Sequence, residues 1–350
     1  MTGTTSAPNA NGLLARVRAR RGPALSRPGW NLGLVVLILA VGTWASIRSP
    51  AFLDTFQLLS AAQASAVSAF LALGLALVVV VGEIDISLTS NLAFTTVVIG
   101  LLGQDGHGTA VIVVAALLSG GLLGALNGVL VAALGMPSLA VTLGTMGAYQ
   151  GAAYLLGGNT AFVEFPPAIY GLASPLFGPV SASLVIFAAL AVVLAVLMGA
   201  TTIGRAMYAV GRTQEVVRRN GMSVAAVKVT AFTIGGLAAG LGAMVFVSYY
   251  GSGGGSSASG TILFVVTAVA LGGFDIYGGS GRISGVVLAL VLLTALRSGM
   301  GLLNVTTTVQ TIVIGALLIA SLTIANLAGD GGLLRRLRRR APGAGRPAPS

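Results

Sequence analysis

Long runs of apolar residues alternate with short polar or glycine-rich segments along almost the whole chain. A bilayer core offers no water to backbone groups, so apolar runs of about 20 residues cross it as helices. The pattern predicts an all-α integral membrane protein, a polytopic bundle of about ten transmembrane helices with broken helices near the cytoplasmic side. The predicted spans lie near residues 31–47, 59–81, 88–102, 109–134, 138–156, 181–199, 228–249, 262–274, 284–301 and 308–327.

The composition agrees with a chain whose solvent is mostly lipid. Of the 350 residues, 55% are hydrophobic and 8% are charged, whereas soluble domains contain about 25% charged residues. The absence of cysteine excludes disulfides and thiolate metal sites, and the single histidine, His107, falls in a glycine-rich turn. We therefore predict that the chain holds neither a metal nor a cofactor of its own.

The net charge of +11 comes from arginines in two tails and one loop, so it does not predict nucleic-acid binding. Residues 1–28 and 329–350 are predicted to be disordered basic cytoplasmic tails on either side of a transmembrane domain at residues 29–328. An even number of spans places both termini on one side, and the arginine-rich tails identify that side as the cytoplasm.

No motif in the chain predicts catalysis. The phosphate-binding pattern G-x-x-x-x-G-K-[ST] is missing, because the single lysine, Lys228, follows Val227. One histidine in a turn supplies neither a zinc-protease helix nor a Ser-His-carboxylate group. We predict that the chain is not an enzyme.

Two carboxylates end the second apolar run, in the segment Gly82-Glu83-Ile84-Asp85-Ile86-Ser87. A carboxylate at the bilayer centre costs about 2.5–3.5 kcal/mol, so acids at membrane depth usually have a role. Residues two positions apart do not share a helical face, which predicts a helix break with Asp85 or Ser87 capping the next span. Capping alone and a role in lining or gating a solute pathway both remain open.

A similar pattern, Gly272-Gly273-Phe274-Asp275-Ile276, ends another apolar run. Our hypothesis is that these two breaks form paired elements at the inner mouth of a pathway. Asn91, Thr142 and Gln63 are further polar candidates for lining it. Asn127 is instead predicted to be an interhelical hydrogen-bond donor, and the glycines at Gly120, Gly124, Gly128, Gly236 and Gly240 are predicted to pack helices closely.

The only long charged loop runs from Thr201 to Lys228. Thr213 can cap a short helix from Gln214 to Asn220, which Gly221 then ends. A docking helix for a cytoplasmic partner and a plain solvated loop are the two interpretations. For docking, Glu215 can pair with Arg218 and Arg219, and Val216, Val217 and Met222 offer apolar contact.

From about residue 31 to residue 327 the chain resembles the permease subunits of ribose-, xylose- and galactoside-type ABC importers, and four of its segments resemble motifs of that family in the same order. The segment from Gly82 to Ser87 resembles G-G-I-D-L-S, and Pro137 with Thr142-Leu143-Gly144-Thr145-Met146 resembles a proline followed by V-T-L-G-T-M. Gly211 through Glu215 and Arg218 to Gly221 resembles G-x-N-P-E-A-A-R-x-S-G, and Leu271-Gly272-Gly273 with Gly278-Gly279, Gly281 and Gly285 resembles L-G-G-x-x-x-x-G-G-x-G-x-x-x-G.

The resemblance implies a subunit of the bacterial cytoplasmic membrane that forms the pathway for a monosaccharide or similar small polar solute. It implies a second permease copy or paralogue, two cytoplasmic ATPase subunits that bind the ATP, and an extracytoplasmic solute-binding protein. Arg212, Glu215, Arg218 and Gly221 carry over as ATPase-coupling residues. Glu83 and Asp275 depart from the family pattern, which leaves the solute class open.

Two other classes of membrane protein remain. One is an ion-coupled secondary transporter that uses Glu83 and Asp85 as proton or sodium sites. The other is a structural or lipid-handling protein.

Overall fold

The computed structural model of the protein describes residues 28–329, and the predicted tails at residues 1–28 and 329–350 lie almost wholly outside that range. Within it, the chain forms thirteen α-helices and one two-stranded hairpin. The ten helices that match the predicted spans are α1 (Pro28–Arg48), α2 (Thr55–Val80), α3 (Leu88–Gln104), α4 (Thr109–Ala132), α5 (Ser138–Gly157), α7 (Ala182–Ala200), α10 (Val224–Tyr250), α11 (Ile262–Leu271), α12 (Ile283–Leu302) and α13 (Thr307–Gly329).

The remaining elements lie between these helices. Helix α6 (Pro167–Tyr170) and the antiparallel strands β1 (Pro175–Phe177) and β2 (Val180–Ser181) connect α5 to α7. Helices α8 (Thr202–Arg212) and α9 (Gln214–Arg219) connect α7 to α10. Short 3₁₀ turns occupy Pro50–Leu53 and Gly171–Ala173.

Seven of the helices in the described range are long and apolar enough to cross a bilayer, namely α1, α2, α4, α7, α10, α12 and α13. Helices α3 and α11 are apolar but shorter, with 17 and 10 residues. The chain is thus an all-α, multi-span membrane protein by the length and composition of its helices.

The centre of the bundle is formed by α2 and α10. Every side chain of α2 from residue 66 to residue 80 is buried. Helix α10 packs backbone to backbone against α4, because a Cβ at Gly236 would overlap the carbonyl oxygen of Gly120 and a Cβ at Gly124 would overlap that of Phe232. The predicted close packing of these glycines is therefore confirmed.

Helix α8 corrects the prediction of an irregular loop after Thr201. Its buried positions Ala206, Met207 and Val210 recur at helical spacing, while Arg205 and Arg212 remain exposed. A search for long apolar runs overlooks such a helix, because its apolar residues form one stripe and not a continuous stretch. Helix α10 also starts earlier than the predicted residue 228, at Val224, so Lys228 lies within the helix and not at its end.

Candidate functional site

The chain leaves helical geometry between Val80 and Leu88, where the two carboxylates lie. Gly82 adopts φ +82°, a left-handed conformation that suits glycine at a helix end. The amides of Gly82 and Glu83 donate to the carbonyls of Val79 and Val78, which completes the last turn of α2. The segment that follows directs Glu83 and Asp85 into different surroundings.

Glu83 forms an ion pair with Lys228 in the first turns of α10. The Lys228 Nζ atom lies 2.5 Å from the Glu83 Oε1 atom, and the two side chains are only 10% and 14% exposed. The pair is neutral overall, so Glu83 does not present a free negative charge. Sequence reasoning missed this contact, since the two residues are 145 positions apart in the chain.

Asp85 belongs to a buried polar cluster that joins α3, α4 and α5. Its Oδ1 atom accepts hydrogen bonds from the Ser87 backbone amide at 2.9 Å and from the Ser87 hydroxyl at 2.6 Å. Asn127 donates to the Ser87 hydroxyl at 2.8 Å, and the Tyr149 hydroxyl donates to Asn127 Oδ1 at 3.0 Å. The predicted role of Asn127 as an interhelical donor is confirmed.

The predicted capping of α3 by the side chain of Asp85 or Ser87 is wrong, because neither side chain accepts an amide of the first turn of α3. Ser87 occupies the N-cap position with φ −78° and ψ −8°, and its side chain makes no capping bond. Its hydroxyl is directed to Asp85, whose carboxylate accepts the Ser87 amide. The second oxygen of that carboxylate, Oδ2, is buried and has no hydrogen-bond partner within the described part of the chain.

Three other polar candidates donate to the backbone of neighbouring segments. Asn91 donates to the carbonyl of Gly120 at 3.0 Å, Thr142 to that of Ile84 at 3.2 Å, and Gln63 to that of Ala173 at 2.8 Å. These bonds give all three side chains a structural role, and their predicted contact with a solute stays a prediction.

Asp275 makes the same kind of turn as Asp85. Its Oδ1 atom accepts the amide of Tyr277 at 3.0 Å, two residues further on, just as Asp85 accepts the amide of Ser87. Such Asx turns satisfy amides that have left a helix. Asp275 is partly exposed, whereas Asp85 is buried.

The two predicted breaks are in direct contact. The amide of Gly279 donates to the carbonyl of Val80 at 2.7 Å, and the Gly278 backbone lies against Gly82. The segments that sequence reasoning paired by similarity are therefore neighbours in space. Their position at a pathway mouth remains a hypothesis.

Helix α9 forms where a short helix was predicted, with two differences at its ends. It stops at Arg219 and not at Asn220, and Gly221 with φ +74° follows it. Thr213 precedes α9 but makes no side-chain capping bond. Its backbone is extended at φ −162°. Its amide donates to the carbonyl of Ala209 and so continues the hydrogen bonds of α8.

Some side chains of α9 are exposed on the surface, and one is buried in the core. Glu215 pairs with Arg219 at the spacing i, i+4, and no Glu215–Arg218 pair is present in the described structure. Val216 and Met222 are exposed, as expected for a docking surface, but Val217 is buried. Arg218 instead lines a neighbouring cleft.

This cleft has a volume of about 740 Å³ and separates the α4–α5 loop from the segment between α9 and α10. The ion pair of Glu83 and Lys228 lies in its wall, together with Arg218, Met136 and Pro137. The cleft therefore joins the α2–α3 break to the predicted coupling segment. Within the described residues, no group of three or more acidic or histidine side chains could hold a metal.

Arg212 faces the second break. Its Nε atom donates to the carbonyl of Gly279 at 2.8 Å. Of the predicted coupling residues, Arg212 thus contacts the α11–α12 connection, Arg218 and Gly221 line the cleft, and Glu215 remains on the outer surface of α9.

Comparison with known proteins assigns the fold to a family. Residues 57–322 match the family model described as branched-chain amino acid transport system / permease component. The chain is 32% identical over 300 residues to the autoinducer 2 import system permease protein LsrD of Photorhabdus laumondii, covering 84% of this chain and 90% of that protein.

The LsrD protein of Yersinia enterocolitica shows the same identity and coverage, and that of Yersinia pestis strain Pestoides F is 30% identical over 299 residues. No solved structure matches the chain significantly. The match of the family model extends from α2 into α13 and includes both breaks and the α8–α9 segment. The chain belongs to this family of transport-system permease components.

Proposed function

We propose that the chain is the transmembrane permease subunit of an ABC importer and forms the pathway for a small polar solute of the monosaccharide kind. A membrane permease of this family does not itself hydrolyse ATP, so two cytoplasmic ATPase subunits supply the energy. A second permease copy or paralogue and an extracytoplasmic solute-binding protein complete the assembly. The relatives LsrD, named as import-system permeases, support the direction of transport.

The distribution of charge supports one orientation in the bacterial cytoplasmic membrane. Helices α8 and α9 together carry four arginines and one glutamate, which favours the cytoplasmic side. The bond from Arg212 to Gly279 and the bond from Gly279 to Val80 hold both breaks in the same layer. In this orientation α3, α5 and α11 are membrane segments beside the seven longer helices, and both termini lie in the cytoplasm.

The observation that carries the proposal is the surface helix α9. It is only six residues long, too short to be stable by itself. It follows α8 directly, and its buried side chain, Val217, packs against the rest of the protein. Val216 is 52% exposed, on the same helix as the ion pair of Glu215 and Arg219. An apolar side chain presented on a short charged helix suits a groove in a cytoplasmic partner.

The charges near the cleft support a neutral solute over a cation. Glu83 departs from the family pattern, but Lys228 neutralises it. One carboxylate oxygen of Asp275 accepts the amide of Tyr277 in the same turn. Arg218 lies in the same wall, so the charged side chains of the cleft are two cations and one carboxylate. This balance disfavours a cation and does not repel an uncharged monosaccharide.

The first experiment asks which proteins assemble with the chain. The tagged chain is purified from its own membrane in mild detergent, and copurifying proteins are identified by mass spectrometry. Val216→Asp places a charge at the proposed docking surface. Thr202→Asp is the matched control, because Thr202 is exposed on the same segment at the start of α8, where a negative charge is favourable.

Recovery of an ATPase subunit with the wild type and with Thr202→Asp, but not with Val216→Asp, is the expected result. The complex in proteoliposomes should then transport solute with ATP and not with an ion gradient. Transport by the chain alone, driven by protons or sodium, would replace the proposal with the ion-coupled alternative, in which Glu83 and the buried Asp85 carry the ion.

A further inference from the structure

One face of α8 is bound to the connection between α11 and α12. Tyr208 and Arg212 are four residues apart on that face, and they donate to the carbonyls of Gly281 at 2.8 Å and Gly279 at 2.8 Å. Burial raises the pKa of Tyr208 although Arg282 and Arg212 act in the opposite direction, so its hydroxyl keeps the proton that it donates.

Between these two side chains, α8 meets its neighbours without any side chain in between. A Cβ at Gly211 would overlap the carbonyl oxygen of Val80 and the amide of Gly279. A Cβ at Gly278 would lie 2.6 Å from the Cα of Gly82 and 3.0 Å from that of Gly211. Three backbones therefore touch at one point.

The conformation at this point also requires glycine. Gly82, Gly278 and Gly279 have φ values of +82°, +90° and +76°, which other residues adopt only with strain. We call the contact of residues 80–82, 211–212 and 278–279 the glycine joint. It connects the end of α2, the end of α8 and the connection after α11.

We propose that the glycine joint makes α8, the α2–α3 break and the α11–α12 connection move as one body when the ATPase subunits displace α9. This inference rests on the proposed function and names the residues through which coupling reaches the two breaks. Side chains can change rotamer and absorb a small displacement, whereas close-packed backbones cannot. Direct backbone contact thus passes a shift of α8 to both breaks together.

The test measures distances between pairs of spin labels in the assembled importer. Because this chain contains no cysteine, pairs of cysteines can be introduced and spin-labelled on the purified chain, before assembly, without labelling it at any other position. Arg205 reports on α8, Tyr277 on the α11–α12 connection, and Leu118 on α4, and all three are exposed. Labelled copies are assembled with an excess of unlabelled copies, so that only distances within one chain are measured.

The expected result is that ATP changes the distances from 118 to 205 and from 118 to 277 together, while the distance from 205 to 277 stays constant. A change from 118 to 205 without a change from 118 to 277 would overturn the inference while leaving the proposed function intact. If no ATPase assembles with the wild-type chain, the proposed function fails and the inference falls with it.

Two substitutions loosen the joint, and a third is the control. Gly211→Ala introduces a methyl group where three backbones meet, and Tyr208→Phe removes one hydrogen bond but keeps the ring. In Gly199→Ala the new methyl group meets no atom within 4 Å in the described part of the chain. We expect the solute transported per ATP hydrolysed to fall about tenfold in Gly211→Ala and about threefold in Tyr208→Phe, and not in the control.

The ratio of transport to hydrolysis separates coupling from folding. A merely structural role would lower both rates in parallel with the amount of assembled complex, leave the ratio unchanged and refute the inference. If Gly211→Ala fails to assemble, Tyr208→Phe decides by the same ratio, because it adds no atom to the joint.

Discussion

Lys228, in the first turns of α10, forms a nearly buried ion pair with Glu83, which lies in the break between α2 and α3. The pair ties the break to a central helix at the wall of the cleft. Two charges that are taken out of water together neutralise each other, but either one alone is strongly unfavourable.

We therefore predict that Glu83→Gln destabilises the protein by about 3 kcal/mol, because it leaves Lys228 buried without a counter-charge. The melting temperature of the purified protein in detergent measures this loss. The double variant Glu83→Gln, Lys228→Met should recover most of it. A double variant as unstable as the single one would show that the charge balance is not the cause.

The contact between α4 and α10 depends on glycine. A side chain at Gly236 would overlap the backbone of α4, so Gly236→Ala should destabilise the protein by about 1–3 kcal/mol through overpacking. Gly315→Ala serves as the control, since among the described residues its methyl group has no neighbour within 4 Å. Equal melting temperatures for the two variants would contradict the close approach of the helices.

Asp85 and Asp275 should contribute differently to the free energy of unfolding. Asp85→Ala leaves the buried amide and hydroxyl of Ser87 without their acceptor, at a cost of about 1–3 kcal/mol. Asp275→Ala affects a partly exposed turn and should cost less than about 1 kcal/mol. Unfolding of the purified variants measures both effects.

Asp85→Asn keeps an acceptor oxygen and removes the charge. A normal melting temperature with lost transport would favour a role of Asp85 in the pathway. Unchanged transport would favour a purely structural role, in which Asp85 accepts the amide and the hydroxyl of Ser87. Asp275→Asn is measured in parallel. If neither substitution alters transport or assembly, the hypothesis that the two breaks form the inner mouth of the pathway is lost.

The ion pair on α9 can be reversed without being removed. Glu215→Arg with Arg219→Glu keeps the i, i+4 spacing, so the stability of the chain should change by less than about 0.5 kcal/mol. If α9 docks to an ATPase subunit, the reversal should nevertheless weaken the association of that subunit, measured by binding of the purified ATPase to the variant in detergent. Unaltered binding would argue against an electrostatic contribution from this pair.

The sequence by itself was sufficient to predict the positions of ten apolar helices, seven of them long enough to cross a bilayer, and of the short helix α9. In lipid every backbone group must be paired within its own segment, so the apolar runs indicate helices without any knowledge of their neighbours. The left-handed glycines at Gly82 and Gly221 are likewise local, because they follow the last residue of a helix. The amphipathic α8 was missed because its apolar residues form a stripe and not a run.

Only the tertiary structure decided which segments meet. Lys228 and Glu83, Asn127 and Ser87, and the three backbones at Gly82, Gly211 and Gly278 are far apart in the chain. Their contacts depend on how the helices pack around α2 and α10, where small differences in helix position change every partner. The repeated glycine–aspartate pattern suggested that the breaks were related, but their direct contact with the end of α8 follows from packing alone.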